Sequence, residues 1–336
     1  MTKKFNIILA NDIYIPAIKT YKVNHPNTLT ILGDIKNITN ETFHNIVGDK
    51  IIDLVSAGVP CQGFSLANKK RNKDDERNYL FLEVIRFVNI FSPKAVMIEN
   101  VSGMKSLNNG SFVKDIESSL KNAGKYGYIV KHSLINAVDY GVPQLRNRLV
   151  FIAIRKDIKK EFHFPKATHG VNSIPFNTIY DAISDLPNLD NNEEKTSYES
   201  NPKTIYQKIL RGNQKKLLNH KAPKHPVSTI EKIKNTKPGL PMYEKYKQRI
   251  RLNWNIQSPT QVAGGIRPQF QFGHPDQNRG LSIRERARIQ SFPDNYKFLG
   301  GIVQSRVQTG NAVPPLLAKA ITLEIANLLE SINIEV

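Results

Sequence analysis

The feature that most constrains this chain is an alternation that runs through its first 155 residues. Short apolar runs of strand length are each followed by a stretch whose apolar residues recur at helical spacing. Residues 6–10 read as a strand, and Ala17, Ile18 and Tyr21 mark the helix face behind it. A second strand, 29–32, ends at Gly33-Asp34-Ile35, and the run 51–57 is apolar enough to be buried on both sides. An amphipathic helix over 80–91, a strand over 94–98, a helix over 112–123 and strands over 128–135 and 149–155 follow. A strand that reaches its neighbour through a helix returns parallel to it. The pattern therefore predicts an α/β fold with a doubly wound, mostly parallel sheet.

In such a sheet, ligands bind beyond the carboxyl ends of the strands. Three acids stand at or just past predicted strand ends: Asp12, Asp34 and Glu99. The run Val59-Pro60-Cys61-Gln62-Gly63-Phe64-Ser65, which holds the only cysteine, follows the strand 51–57 on the same rim. A lone cysteine is more often a small buried thiol than a reactive one, so the neighbours must decide. One cysteine also excludes an internal disulfide and a cysteine-cluster zinc site. His220 and His225 lack the spacing of metal ligands and read as partner-facing or structural, so no metal is expected.

Charge narrows the partner. Lys and Arg total 48 against 29 Asp and Glu, a net charge of +19. Between residues 201 and 251 there are 14 basic residues and two acidic ones, Glu231 and Glu244. That imbalance suits a polyanion, most often nucleic acid, although a solvated lysine-rich surface has the same composition. No apolar run approaches the roughly 18 residues of a membrane span, and the first nine residues are too weakly apolar for a signal peptide. Cytoplasm is the default compartment, with no membrane partner expected.

After Phe164-Pro165 the rhythm changes. Residues 166–300 are rich in Lys, Asn and Pro and read as a smaller, irregular, β-rich domain between a catalytic domain, 1–165, and a returning segment, 301–336. Within it Ile179, Ile183 and Leu186 can form a helix face, and Tyr206, Ile209, Leu210, Leu217, Leu218, Tyr243, Tyr246 and Trp254 a core. A helix-like run over 281–293 stops at Phe292-Pro293. Gly310-Asn311-Ala312-Val313-Pro314-Pro315 opens a last helix with Leu317, Ile321, Ile325, Leu328 and Ile332 along one face.

In this order the motifs resemble those of the cytosine-5 DNA methyltransferases, which use S-adenosylmethionine. Pro60-Cys61-Gln62 resembles the nucleophile loop, Glu99-Asn100-Val101 the base-binding motif, and Gln144-x-Arg146-x-Arg148 the paired-arginine motif. Residues 284–293 resemble the segment that supports the recognition domain, and 310–315 the closing motif. Each tripeptide is weak alone; five in order across about 250 residues are not. The likeness covers nearly everything but the basic middle. It implies a Rossmann-like methyltransferase fold, with Cys61 as the nucleophile toward cytosine C6, Glu99 on the N3 and N4 edge of a flipped base, and Arg146 and Arg148 bracing the base or the loop. It implies cofactor contacts from Asp12, Ile13, Asp34, Ile35, Pro60, Leu80, Asn311 and Ala312. DNA contacts are expected from Gln62, Ser65, Arg211, Lys215, Lys216, Lys224, Arg249 and Arg251, with residues 68–78 in a loop that closes on double-stranded DNA. A restriction–modification or phage setting, with a cognate endonuclease, belongs to the same expectation. Two other functions compete with it: a DNA-binding protein without turnover, and a tRNA-modifying branch of the same family, against which the long basic middle argues.

One piece of the family pattern has no counterpart. The expected opening strand and its Phe-x-Gly-x-Gly turn, which receive the methionine end of the cofactor, are missing, and the chain starts at the family's second strand. The sheet is expected to lack its central strand and to carry two unpaired edges. A shortened start is the favoured explanation; a companion chain supplying the strand and a degraded gene are the others. On the favoured explanation the isolated chain binds the cofactor poorly.

Overall fold

The computed structural model describes residues 4–59, 80–263 and 270–332. Cys61, Pro60, Gln62 and Ser65, and the loop 68–78, lie outside the described residues.

Two sheets form where one was expected to be divided. The smaller pairs β1 (Leu9–Asp12) with β2 (Leu29–Leu32) in parallel, and α1 (Ile15–Asn24) connects them. The larger has the order β3-β4-β6-β5, built from β3 (Leu54–Gly58), β4 (Ala95–Val101), β5 (Tyr128–Asn136) and β6 (Asn147–Arg155). β3 pairs with β4 in parallel, while β6 runs antiparallel to both β4 and β5. The reversal of β6 corrects the purely alternating pattern and has a simple cause. Only a 3₁₀ turn (Ala137–Tyr140) and a short loop separate β5 from β6, too little chain for a parallel crossover.

Among the described residues, β1 pairs only with β2 and β3 only with β4. β4 is almost wholly buried, whereas Leu54, Val55 and Ala57 of the adjoining β3 stay half-buried and Ser56 and Gly58 fare no better. Each of the two strands thus keeps a row of backbone groups with no partner there. Side contacts hold the halves together. α2 (Asn40–Val47) presents Phe43 edge-on to Phe87 of α3 (Phe81–Phe91), and Arg86 bonds Asn40 and the carbonyl of Ile35.

Alternation on the large sheet separates two cores. Val96 and Ile98 of β4, with Leu149, Phe151 and Ala153 of β6, face α3 and α4 (Ser111–Lys121). Ala95 and Met97, with Val150, Ile152 and Ile154, face a helix of the C-terminal segment through its Leu317, Ile321, Ile325 and Leu329. Period-two side chains on both strands meet helices on both faces, which gives the three-layer arrangement. Burying each of these aliphatic side chains contributes about 1.5–3 kcal/mol. The stretch Ile302–Ile332 is apolar enough in composition to cross a membrane, but it is two helices broken at Ala312, and the second one's apolar side is this core.

The middle of the chain is irregular, as expected, but helical rather than β-rich. Among the described residues it contains α5 (Ile179–Ile183), α6 (Ile205–Arg211) and α7 (Val227–Lys234), with strands only at β7 (Ile250–Arg251) and β8 (Phe272–Gly273). Capping boxes at Thr178/Asp181 and Thr204/Gln207 start two of these helices. α8 (Ile283–Ile289) follows, with a capping box from Ser282 and Glu285, and all seven of its residues are buried. α9 (Ile302–Asn311) and α10 (Pro315–Ile332) complete the chain.

Candidate active site

Glu99 sits near the carboxyl end of β4, opposite Gly58 on β3 and Val150 on β6. A Cβ on Gly58 would lie in ordinary contact, 3.5 Å from Glu99 Oε2, which puts the carboxyl directly beside the end of β3. Arg148, two residues into β6, pairs with Val101 in register and brings its Nε to 2.5 Å from Glu99 Oε1. The antiparallel β6 is what makes this meeting possible. Its amino end lies beside the carboxyl end of β4 only because the strand is reversed. Burial pushes the Glu99 carboxyl up, although Arg148 and Arg146 pull it down, and burial lowers Arg148. A carboxyl so placed can share a proton with a base edge while a fixed cation stands next to it.

Asn100, next to the glutamate, has a structural part. Its Nδ2 donates to the carbonyl of Val59 at 3.2 Å and its Oδ1 accepts from Val101 N at 2.8 Å. It braces the start of the cysteine loop against β4.

Arg146 is placed differently from expectation. It is fully buried and donates to three carbonyls: Gln261 at 3.0 Å, Gly310 at 2.7 Å and Ala312 at 3.0 Å. Gln144 joins the same network by accepting from Gln261 N at 2.9 Å and bonding Gln290, which donates to Ala312 O at 2.6 Å. Burial and Arg148 lower Arg146 to about 9. Its fork is spent on tying β6 to the segment 260–263 and to the closing motif, so its contribution is to hold parts together. Gly310 is required at that junction, because a Cβ there would meet backbone atoms of Val262 and Ala263 at 2.5 Å.

Of the expected cofactor residues, Asp12, Ile13, Asp34 and Ile35 lie at the ends of β1 and β2. Asp12 Oδ1 accepts from Tyr14 N at 2.8 Å, Gly33 N donates to Asp12 O at 3.1 Å, and Asp34 Oδ1 accepts from Lys36 N at 3.0 Å. Gly33 turns at φ +149°, and Asn11 clamps the turn by donating to the carbonyls of Ile31 and Gly33. Ile13 is exposed, Ile35 starts a short 3₁₀ turn and Leu80 caps α3. Asn311 is exposed and ends α9, followed by Ala312 as its cap. The paired acids suit ribose hydroxyls, so this rim fits the adenosine end of S-adenosylmethionine.

The basic residues divide into two kinds. Lys215, Lys216 and Lys224 are exposed. Arg211 is half-buried, lies 3.6 Å over the Tyr198 ring and donates to Ser200 O at 2.6 Å. Arg249 is buried over Tyr243 and Tyr246. Arg251 is buried and donates to carbonyls of Ile233, Lys234, Thr236, His274 and Pro275, which makes it a strut of the irregular region and corrects its reading as a DNA contact. The two histidines are structural: His220 bonds Ser282 and the carbonyl of Pro187, and His225 accepts from Gly280 N. α8 anchors the whole region through buried ion pairs, Arg279–Glu285 and Arg288–Asp185/Asp294.

A doubly wound α/β enzyme with a large irregular region inserted before its last helices is the class that this fold and rim define. Residues 1–327 match the C-5 cytosine-specific DNA methylase family, and the chain belongs to that family. It is 34% identical over 329 residues to Type II methyltransferase M1.HphI of Haemophilus parahaemolyticus, covering 94% of this chain and 80% of that one. It is 35% identical to Type II methyltransferase M.DdeI of Desulfomicrobium norvegicum, covering 98% and 85%. Among solved structures, a protein described as a DNA modification methyltransferase encoded within an E. coli prophage superposes with a TM-score of 0.80 at 25% identity, covering 97% of this chain and 93% of that one. The Dnmt2 methyltransferase of S. pombe, at 17% identity and a TM-score of 0.59, shares the fold.

Proposed function

We propose that this chain methylates C5 of a cytosine in a short specific sequence of double-stranded DNA, in the bacterial cytoplasm, as the modification member of a Type II restriction–modification pair. The observation that carries the reading is the Glu99–Arg148 pair at the sheet rim, next to the point where β3 leads into the cysteine loop.

Cytosine C5 is too poor a nucleophile to react unaided. Addition of the Cys61 thiolate at C6 makes C5 enamine-like and able to attack the methyl donor; a base then removes the C5 proton, and elimination across C5–C6 frees the thiolate. Glu99 holds the N3 and N4 edge, its raised proton affinity suiting the charge that develops at N3, while Arg148 balances the carboxyl and faces the base O2. S-adenosylmethionine supplies the methyl group as a sulfonium-activated electrophile. Asp12, Ile13, Asp34, Ile35, Pro60, Leu80, Asn311 and Ala312 would hold it. The target atom is out of reach inside a duplex, so the base is flipped. Gln62, Ser65, Lys215, Lys216, Lys224 and Arg211 are the proposed DNA contacts, with residues 166–300 as the recognition domain between 1–165 and 301–336.

Among the described residues the free edges of β1 and β3 favour a further parallel strand as the seat of the cofactor's methionine end. Bisulfite sequencing of DNA from cells expressing the chain tests the reading. Protected cytosines at one short sequence, absent with Cys61→Ser, are expected; methylation of tRNA alone would move the chain to the RNA-modifying branch.

A further inference from the structure

Only Ala312, Val313 and Pro314 separate α9 from α10, and the backbone bond that would make them one helix is broken. In a continuous helix Leu316 N would donate to Ala312 O, four residues back. Ala312 instead takes extended angles, φ −62° and ψ 143°, and its carbonyl accepts from Gln290 Nε2 at 2.6 Å and Arg146 Nη2 at 3.0 Å. Leu316 N donates to Ser291 Oγ at 3.1 Å. Pro314 and Pro315 bring no N–H to this junction. Two successive side chains at the end of α8 therefore stand in for the two halves of the missing bond. Gln290 supplies the donor and Ser291 the acceptor, and both are buried, at 0% and 1% exposure.

Ser291 does this in a conformation that serine seldom adopts. Phe292 N donates to Ala287 O at 2.8 Å and Ser291 N to Arg288 O at 2.9 Å, the crossed pair of bonds that ends a helix on a left-handed residue. Ser291 is that residue, at φ +65°. Glycine takes this place without strain, and a Cβ there is unfavourable. The same Cβ is what carries Oγ to Leu316 N, so the strain serves an element outside α8. The run that anchors the irregular region through buried ion pairs thus also sets the junction on which Asn311 and Ala312 stand.

We propose that Ser291 is a positioning residue of the cofactor site: with Gln290 it keeps the junction of α9 and α10 open, so that Asn311 and Ala312 are presented to S-adenosylmethionine. The inference rests on the reading of those two residues as cofactor contacts. Ser291 acts through the backbone of Leu316 and the turn before it, not by touching the cofactor.

The test is native-state hydrogen exchange of the full chain as wild type, Ser291→Ala and Ser291→Gly, each titrated with S-adenosylhomocysteine. Both variants lose the acceptor, so the Leu316 amide should exchange about 10-fold faster in each. Only Ser291→Ala keeps a side chain at the left-handed turn, so Ser291→Gly should melt a few degrees above it. In wild type the ligand should slow exchange at Asn311 and Ala312, and the concentration needed for half of that protection should rise about 10-fold in both variants. A merely structural serine would give losses that follow melting temperature, with Ser291→Gly close to wild type at Leu316 and in ligand affinity. That result, or an unchanged Leu316 amide in both variants, overturns the proposal. Unaltered protection of Asn311 and Ala312 once Leu316 is released also overturns it, while leaving the two residues as cofactor contacts. If wild type gains no protection there at any concentration, the cofactor reading of those residues falls and the proposal falls with it.

Discussion

Replacing Arg146 by Met removes the charge and keeps much of the volume. Of its three acceptors, Ala312 O retains the Gln290 amide, but Gln261 O and Gly310 O lose the side-chain donor that reaches them. A buried carbonyl left without a donor costs about 1–3 kcal/mol, so two cost about 2–6 kcal/mol. Relief from desolvating a guanidinium that has no carboxylate of its own offsets part of that. A net loss of about 3 kcal/mol, on the order of 5–10 °C in melting temperature, is expected. Arg148→Met should cost less, because Glu99 is already pushed toward its neutral form and can take up a proton. Thermal melting and native-state hydrogen exchange read both variants. In Arg146→Met the amides of Gln261 and Val262 should exchange about 10-fold faster or more, while the centre of β6 keeps the rate of the whole protein. An Arg146→Met protein as stable as wild type, failing only in chemistry as Arg148→Met does, would return Arg146 to the base.

Gly310→Ala forces a methyl into the backbone of Val262 and Ala263 and should cost about 1–3 kcal/mol or more, read by urea melts. His225 sits near 4 against an ordinary value of 6.5, so the folded state binds fewer protons than the unfolded one. Its contribution is complete above pH 6.5, declines as pH falls toward 4, and amounts to about 3 kcal/mol at the limit; His225→Gln should flatten the stability–pH curve in that window, and an unaltered curve would contradict the assignment. A separately supplied strand, glycine turn and helix should raise the affinity for S-adenosylhomocysteine and the melting temperature. Tight binding by the 336-residue chain alone would refute the need for it.

The parts of the fold most legible in the sequence were those where burial is periodic. Val96 and Ile98 face one core while Ala95 and Met97 face the other, and the apolar face of α10 was readable through Leu317, Ile321 and Ile325, with Leu329 rather than Leu328 as its next buried residue. The direction of β6 was not, since a period of two is the same read forward or backward; only the shortness of its connection to β5 carried that signal. Arg249 and Arg251 were counted as surface charge because composition treats every arginine alike. In a region with little regular pairing, Arg251 instead takes over carbonyls that a ladder would have satisfied. The helices of the middle region did leave a signal, in Thr178-x-x-Asp181 and Thr204-x-x-Gln207, which mark helix starts independently of periodicity. The bond from Asn100 to Val59 joins residues 41 positions apart and has no local signature.

On this account the rim holding Glu99 and Arg148, with Cys61 as nucleophile, performs methyl transfer to cytosine. Transfer of label from methyl-tritiated S-adenosylmethionine to duplex DNA, with the companion strand supplied, tests it most directly. Label recovered as 5-methylcytosine is expected for wild type, with none for Cys61→Ser and a loss of about 100-fold or more for Glu99→Gln. Undiminished transfer by Cys61→Ser, or label on another atom of the DNA, would contradict the account.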